Sequence, residues 1–111
     1  MPRRARLFTA PLLLAVTGLA LAAEPIQIEI RGQAFTPAEI AVPAGEKLEL
    51  IIRNQDELPA EFESYDLSRE IVVPAHGQVK VYIGPLEPGR YRFFNDFHQE
   101  SQGWVVAGGG K

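Results

Sequence analysis

The chain has 111 residues, two histidines, no cysteine and a formal net charge of −3, with 14 acidic against 11 basic side chains. The lack of cysteine excludes disulfides, thiolate metal centres and thiol catalysis. The acidic balance argues against a nucleic-acid partner, because binding a phosphate backbone depends on neutralising it with Lys and Arg, and it suits a cationic partner.

Met1-Pro-Arg-Arg-Ala-Arg6 is a basic start, Leu7 to Leu21 is apolar, and Ala20-Leu-Ala22 puts small residues at both cleavage-specifying positions. This layout predicts a secretory signal peptide over residues 1–22. Its apolar part is short for a membrane span and no second hydrophobic segment follows, so the mature chain is expected to have no membrane span. Retention as an uncleaved anchor is the alternative. Cleavage after Ala22 leaves 111 − 22 = 89 residues and removes Arg3, Arg4 and Arg6, moving the formal charge from −3 to −6. A chain of that length makes one small domain with a modest core.

Ile26, Ile28 and Ile30 alternate with polar residues, as in a half-buried strand. Phe35 to Val42 is extended, is broken by Pro37, and closes at Pro43-Ala-Gly45. Leu48, Leu50 and Ile52 alternate again. The polar break Asn54-Gln-Asp-Glu57 precedes Leu58-Pro-Ala-Glu-Phe-Glu-Ser64. Asp66-Leu-Ser-Arg-Glu70 is the one stretch with the makings of a helical turn. Ile71-Val-Val73, the turn Pro74-Ala-His-Gly77 and the alternating Val79, Val81 and Ile83 come next. The turn cluster Gly84-Pro-Leu-Glu-Pro-Gly89 leads into Tyr91-Arg-Phe-Phe-Asn-Asp-Phe-His98, and Trp104-Val-Val-Ala107 closes the domain. Roughly seven or eight short strands with Pro/Gly punctuation predict an all-β sandwich over residues 23–107, followed by a flexible tail, Gly108-Gly-Gly-Lys111.

The order Ala34-Phe-Thr-Pro-Ala-Glu-Ile-Ala-Val-Pro-Ala-Gly45, Leu58-Pro-Ala-Glu-Phe62, Leu86-Glu-Pro-Gly-Arg-Tyr-Arg-Phe-Phe94 and His98 resembles cupredoxin-like domains across the mature chain. The resemblance implies a Greek-key β-sandwich of the cupredoxin type. In metal-carrying members a histidine stands where Ala60 is, a cysteine where Asn95 is, a second histidine at His98, and a methionine near Ser101. Together these build a blue-copper centre whose electronics the sulfur dominates. Only His98 is present here, so no type 1 copper is expected. Pro59 to Ser64 and Phe93 to His98 are similar to the cupredoxin-like component of bacterial ferrous-iron uptake systems. That likeness implies a periplasmic protein working beside an iron permease or another periplasmic metal-binding protein. It also implies copper or iron held by carboxylate and imidazole, and promotion of ferrous-iron oxidation. That group carries Asp-Asp before the Phe-His, whereas this chain has Asn95-Asp96, a neutral amide in place of an anionic donor.

His98 is the first candidate ligand, since neutral imidazole binds copper, iron and zinc well; a rim histidine that only hydrogen-bonds is the plain alternative. Asp96 shares a side with His98 if the segment is extended, and Asn95 comes closer if it turns; an aspartate there also suits a turn. Asn95 offers an amide oxygen or a structural hydrogen bond. Glu61 and Glu63 share one face of their strand, opposite Ala60 and Phe62. A solvated acidic face is their ordinary reading, but the cupredoxin arrangement sets them beside the His98 loop as oxygen donors. Glu70 and Glu100 are weaker candidates, with a solvated role as their ordinary reading, and His76 reads as a surface residue away from the site. No multi-histidine zinc site, phosphate loop or serine elbow is present. The expected function is a metal-handling accessory to iron uptake that binds copper, iron or both, with ferroxidase-like activity left open. A non-redox copper or iron chaperone and a metal-free interaction module are the alternatives.

Overall fold

The computed structural model describes residues 24–108. The leader expected over 1–22, and the tail beyond Gly108, lie outside the described residues. These form nine strands: β1 (Ile26–Arg31), β2 (Ala34–Thr36), β3 (Glu39–Val42), β4 (Leu48–Asn54), β5 (Ala60–Ser64), β6 (Arg69–Val73), β7 (Gln78–Ile83), β8 (Gly89–Asn95) and β9 (His98–Ala107). They build a four-stranded sheet ordered β2-β1-β4-β7 and a five-stranded sheet ordered β3-β9-β8-β5-β6. β1 lies parallel to β4 and β3 parallel to β9, while the other pairings are antiparallel. The result is a two-sheet all-β sandwich of the cupredoxin type.

The alternation in the sequence sets the inner faces. Ile28 and Ile30 of β1, Leu48, Leu50 and Ile52 of β4, and Val81 and Ile83 of β7 are buried from one sheet, against Ile40, Val42, Phe62, Val73, Phe93 and Val105 from the other. Burying a side chain of this size stabilises by about 1.5–3 kcal/mol, so these rows hold the sheets together. Phe35, Phe62 and Phe93 meet between the sheets, with ring centroids 4.9 to 6.1 Å apart. Gly103 makes room for this packing: a Cβ there would run into the Phe93 ring and come within 2.5 Å of the Ala38 carbonyl oxygen.

Nine strands exceed the expected seven or eight for one local reason. The extended stretch around Pro37 is two strands in different sheets; proline has no N–H for a ladder, and the chain changes sheets there. The segment expected to make a helical turn instead forms a hairpin. Ser68 donates its N–H to the Tyr65 carbonyl at 3.2 Å, and Arg69 and Glu70 already belong to β6. Ser64 Oγ accepts the Leu67 N–H at 3.0 Å, and Leu67 is buried, which ties the turn to the core rather than leaving it to wind on.

One end of the sandwich gathers three connections. Asp56 accepts the N–H groups of Gly32 and Gln33 at 2.8 and 2.7 Å. Asn54, also buried, donates to the carbonyls of Leu58 and Val73. Asn95 donates to the Gln33 carbonyl at 3.3 Å. The β1–β2 turn, the β4–β5 loop and the β8–β9 turn are thereby fixed against one another, and β5 begins there. Among the described residues no helix is long and apolar enough to cross a membrane.

Candidate metal centre

β5 runs between β8 and β6, and its side chains alternate through the sheet. Ala60 and Phe62 face the core, while Glu61 and Glu63 point to the outer surface of the five-stranded sheet. Across the β5–β6 hairpin Glu63 is paired with Glu70 and Glu61 with Val72. Glu61, Glu63 and Glu70 each bring a carboxylate oxygen to within 4.8 Å of the others. Ligands on opposite sides of an ion bonded at about 2.0–2.6 Å stand roughly 4–5 Å apart, so three flexible glutamates at this spacing can close on one cation.

Glu61 is only 7% exposed, and its Oε1 is buried without a hydrogen-bond partner. Burial pushes its carboxyl up to about 7, helped by Glu70 beside it and then by Asp96 and Glu63. Removal from water disfavours the charged form, and like charges add to the effect. Glu63 is also raised, first by desolvation and then by Asp96 and Glu70. Tyr65, the next outward residue on the same row, has its phenol raised chiefly by the Glu63 carboxylate. Among the described residues no salt bridge reaches Glu61, Glu63 or Glu70, and Arg69, which shares their recess, gives its N–H groups to the carbonyls of Leu67, Ser68 and Tyr82, so a cation is the natural complement.

The other expected donors lie around this group rather than in it. Asp96 donates its backbone N–H to the Glu61 carbonyl at 3.1 Å, and its Oδ1 accepts from Gln99 at 2.9 Å. Its charge is felt at Glu61, Glu63 and Tyr65. His98 opens β9 with Nε2 3.5 Å from the exposed Glu100 carboxylate. Asn95 is 1% exposed. Its Oδ1 accepts the N–H groups of Glu61 and Phe97, both at 3.1 Å, and its Nδ2 donates to Gln33. The amide is thus engaged with backbone at both ends.

Glu70, a weaker candidate from the sequence, is a full member of the group. Its carboxylate joins the group through the cross-strand pairing with Glu63, a relation visible only once residues 65–68 are taken as a hairpin turn. Tyr65, the first residue of the turn after β5, is brought to the same face by the hairpin, its ring against Phe94.

A type 1 copper centre does not fit these residues. The positions that resemble its histidine and cysteine, Ala60 and Asn95, are buried side by side within the sandwich and offer no thiolate or imidazole. The carboxylates sit one residue further along β5, and that single step carries them through the sheet to its outer face.

Residues 5–107 match the cupredoxin-like domain family. The chain is 42% identical over 82 residues to an uncharacterized protein of Rickettsia prowazekii (strain Madrid E), a match covering 73% of this chain and 66% of that protein, so it spans a little under two thirds of the relative's length. Among solved structures it is similar to the metal-binding domain of the Streptococcus pneumoniae D39 Cu(I)-exporting P-type ATPase CopA with Cu(I). That likeness has a TM-score of 0.66 at 16% identity and covers 75% of this chain and 83% of that one. It is also similar to amicyanin from Paracoccus versutus, with a TM-score of 0.61 at 17% identity, over 79% and 85% of the two chains. At these identities the solved structures speak for the fold alone. The family match spans nearly the whole sequence, and with the two-sheet topology it identifies the chain as a member of the cupredoxin-like domain family.

Proposed function

We propose that this protein is a periplasmic metal-binding accessory of ferrous-iron uptake. In this reading it is exported by its leader and binds iron, copper or both through carboxylates instead of a thiolate. The observation that carries the reading is the buried, unpartnered Oε1 of Glu61 facing two further carboxylates. Oxygen donors of this kind suit hard and borderline ions. The likeness of Pro59 to Ser64 and Phe93 to His98 to the iron-uptake component supports iron as the cargo. Asp96 stands close enough to shape the field of the site, and His98 supplies an imidazole on the neighbouring hairpin. An iron permease or a periplasmic metal-binding protein would receive the ion.

Calorimetric titration of the purified protein with Fe(II) under anaerobic conditions, and separately with Cu(II), tests the proposal. One site per chain is expected, with binding lost in Glu61→Gln and weakened in Glu63→Gln. An absence of heat with both metals in the wild type removes the metal-binding reading and leaves an interaction module. Ferrous oxidation that needs copper and outpaces free copper distinguishes a ferroxidase from a chaperone.

A further inference from the structure

Tyr65 is a large aromatic residue that the fold leaves 73% exposed, beside the carboxylates. It lies two residues after Glu63 and four after Glu61, so it continues their outward row. Its ring rests edge-on against Phe94, centroid to centroid 5.4 Å, and Phe94 is the cross-strand partner of Glu63 on β8. The backbone on both sides of Tyr65 is pinned. Ser64 Oγ donates to the Arg92 carbonyl at 2.6 Å, and Asp66 Oδ2 accepts the Arg92 N–H at 2.8 Å. An open recess of about 340 Å³ has Glu63, Tyr65 and Glu70 in its lining.

We infer that Tyr65 is a ligand of the outer-face centre that engages when the bound iron is ferric, which makes this the site where the oxidised ion is held. The inference rests on the reading of Glu61, Glu63 and Glu70 as a metal centre. A phenol is a poor ligand for Fe(II), but Fe(III) displaces its proton and binds the phenolate as a hard anionic oxygen. Ligation forms one Fe–O bond and releases one proton to solvent, with no change in oxidation state. Three carboxylates and a phenolate match the charge of Fe(III) better than that of any divalent ion, so Tyr65 gives the site a preference between the two states of iron.

The test is titration of the purified protein with ferric nitrilotriacetate, followed by visible absorption, beside calorimetry with Mn(II). Phenolate bound to Fe(III) has a visible charge-transfer band that carboxylate-only sites lack. Of the other two tyrosines of the chain, Tyr91 donates its hydroxyl to the Glu87 carbonyl at 2.7 Å, and Tyr82, on the opposite sheet, borders a recess shared with Glu70, so Tyr82→Phe is the control that must keep the band. The wild type is expected to develop the band to saturation at one iron per chain. Tyr65→Phe is expected to lose the band and to lower Fe(III) affinity far more than Mn(II) affinity. Losing a ligand costs at least as much as losing an outer-shell partner, about 10–100-fold. Fe(III) binding without the band, or a band that survives in Tyr65→Phe, overturns the role of Tyr65 while leaving the carboxylate centre standing. A wild type that binds neither Fe(III) nor Mn(II) overturns the centre itself, and the inference falls with it.

Discussion

Glu61 is an acid folded into a place that disfavours its charge. Its carboxyl has an ordinary value of 4.5 and rises to about 7 in the fold, so between those values the folded chain holds a proton that the unfolded chain has released. Stability of the metal-free protein therefore falls as pH rises from about 4.5 to about 7, and the loss is complete above that window. Thermal melting from pH 5 to pH 8 is expected to show this decline, and Glu61→Gln, which carries no titrating proton, is expected to flatten it. A wild type that melts higher at pH 8 than at pH 5 would contradict the burial argument. Asn95 works in the other direction, as a neutral group that satisfies backbone on both sides of the turn. Asn95→Ala leaves the buried Glu61 N–H without its acceptor and is expected to cost about 1–3 kcal/mol, read as a lower midpoint in urea. An aspartate at this position would point into the sandwich, with a carboxylate oxygen against the Gln33 carbonyl, and would add no donor to the outer-face group. An asparagine at this position therefore leaves the grouping of Glu61, Glu63 and Glu70 unchanged.

The β5–β6 hairpin is the element that turns scattered acids into a group. Like charges directly opposite one another on antiparallel strands are destabilising, and a cross-strand pair is worth roughly 0.2–1 kcal/mol. Glu63 and Glu70 occupy such a position. Glu70→Gln is expected to stabilise the metal-free protein by an amount in that range and to weaken metal binding. The two effects, measured by denaturation and by calorimetry on one variant, have opposite signs, as is expected of a site that holds strain for a ligand. Much of the fold was legible because β1, β4 and β7 each have one face on the core and one on water, which writes a period of two into the sequence. The shared face of Glu61 and Glu63 was legible for the same reason. The hairpin was not, because Asp66-Leu-Ser-Arg-Glu70 carries no glycine or proline to mark a turn, and Ser68 adopts a positive φ of 53° that residue type does not foretell. The inward aim of Asn95 follows from the same alternation, two residues after Phe93 and opposite Phe62. What stayed hidden is the register shift between Phe94 and Asn95 in the β8–β9 pairing, a property of two strands together.

At the scale of the molecule, a chain without cysteine has no disulfide to staple it and depends on packing, and its excess of acidic side chains works against compaction. Part of that charge is concentrated at the outer face of the five-stranded sheet. Further along the same face the cations stand: Arg92 lies over Phe94 and hydrogen-bonds Gln102, and Arg90 pairs with Glu39 at 2.7 Å and lies over Trp104. Among the described residues no salt bridge reaches the carboxylate group. A metal bound there adds to folding stability by mass action, about 2.7 kcal/mol when free metal is a hundred times its dissociation constant. In a domain of this size 1 kcal/mol moves the melting temperature by about 4–8 °C. Excess Mn(II) at pH 7.5 is therefore expected to raise the melting temperature by roughly 10–20 °C. Glu61→Gln is expected to show little rise, since the buried oxygen that anchors the ion is then half of a neutral amide. The shift should shrink as salt is added, because surface charges are screened over about 10 Å at 0.1 M, but a partly buried ligand such as Glu61 is shielded from that screening and should keep most of it. A shift that vanishes at moderate salt, or that Glu61→Gln retains in full, would mean that the cation gathers diffusely around an acidic surface. A shift that persists in salt and depends on Glu61 places it at the three carboxylates that β5 and β6 bring together.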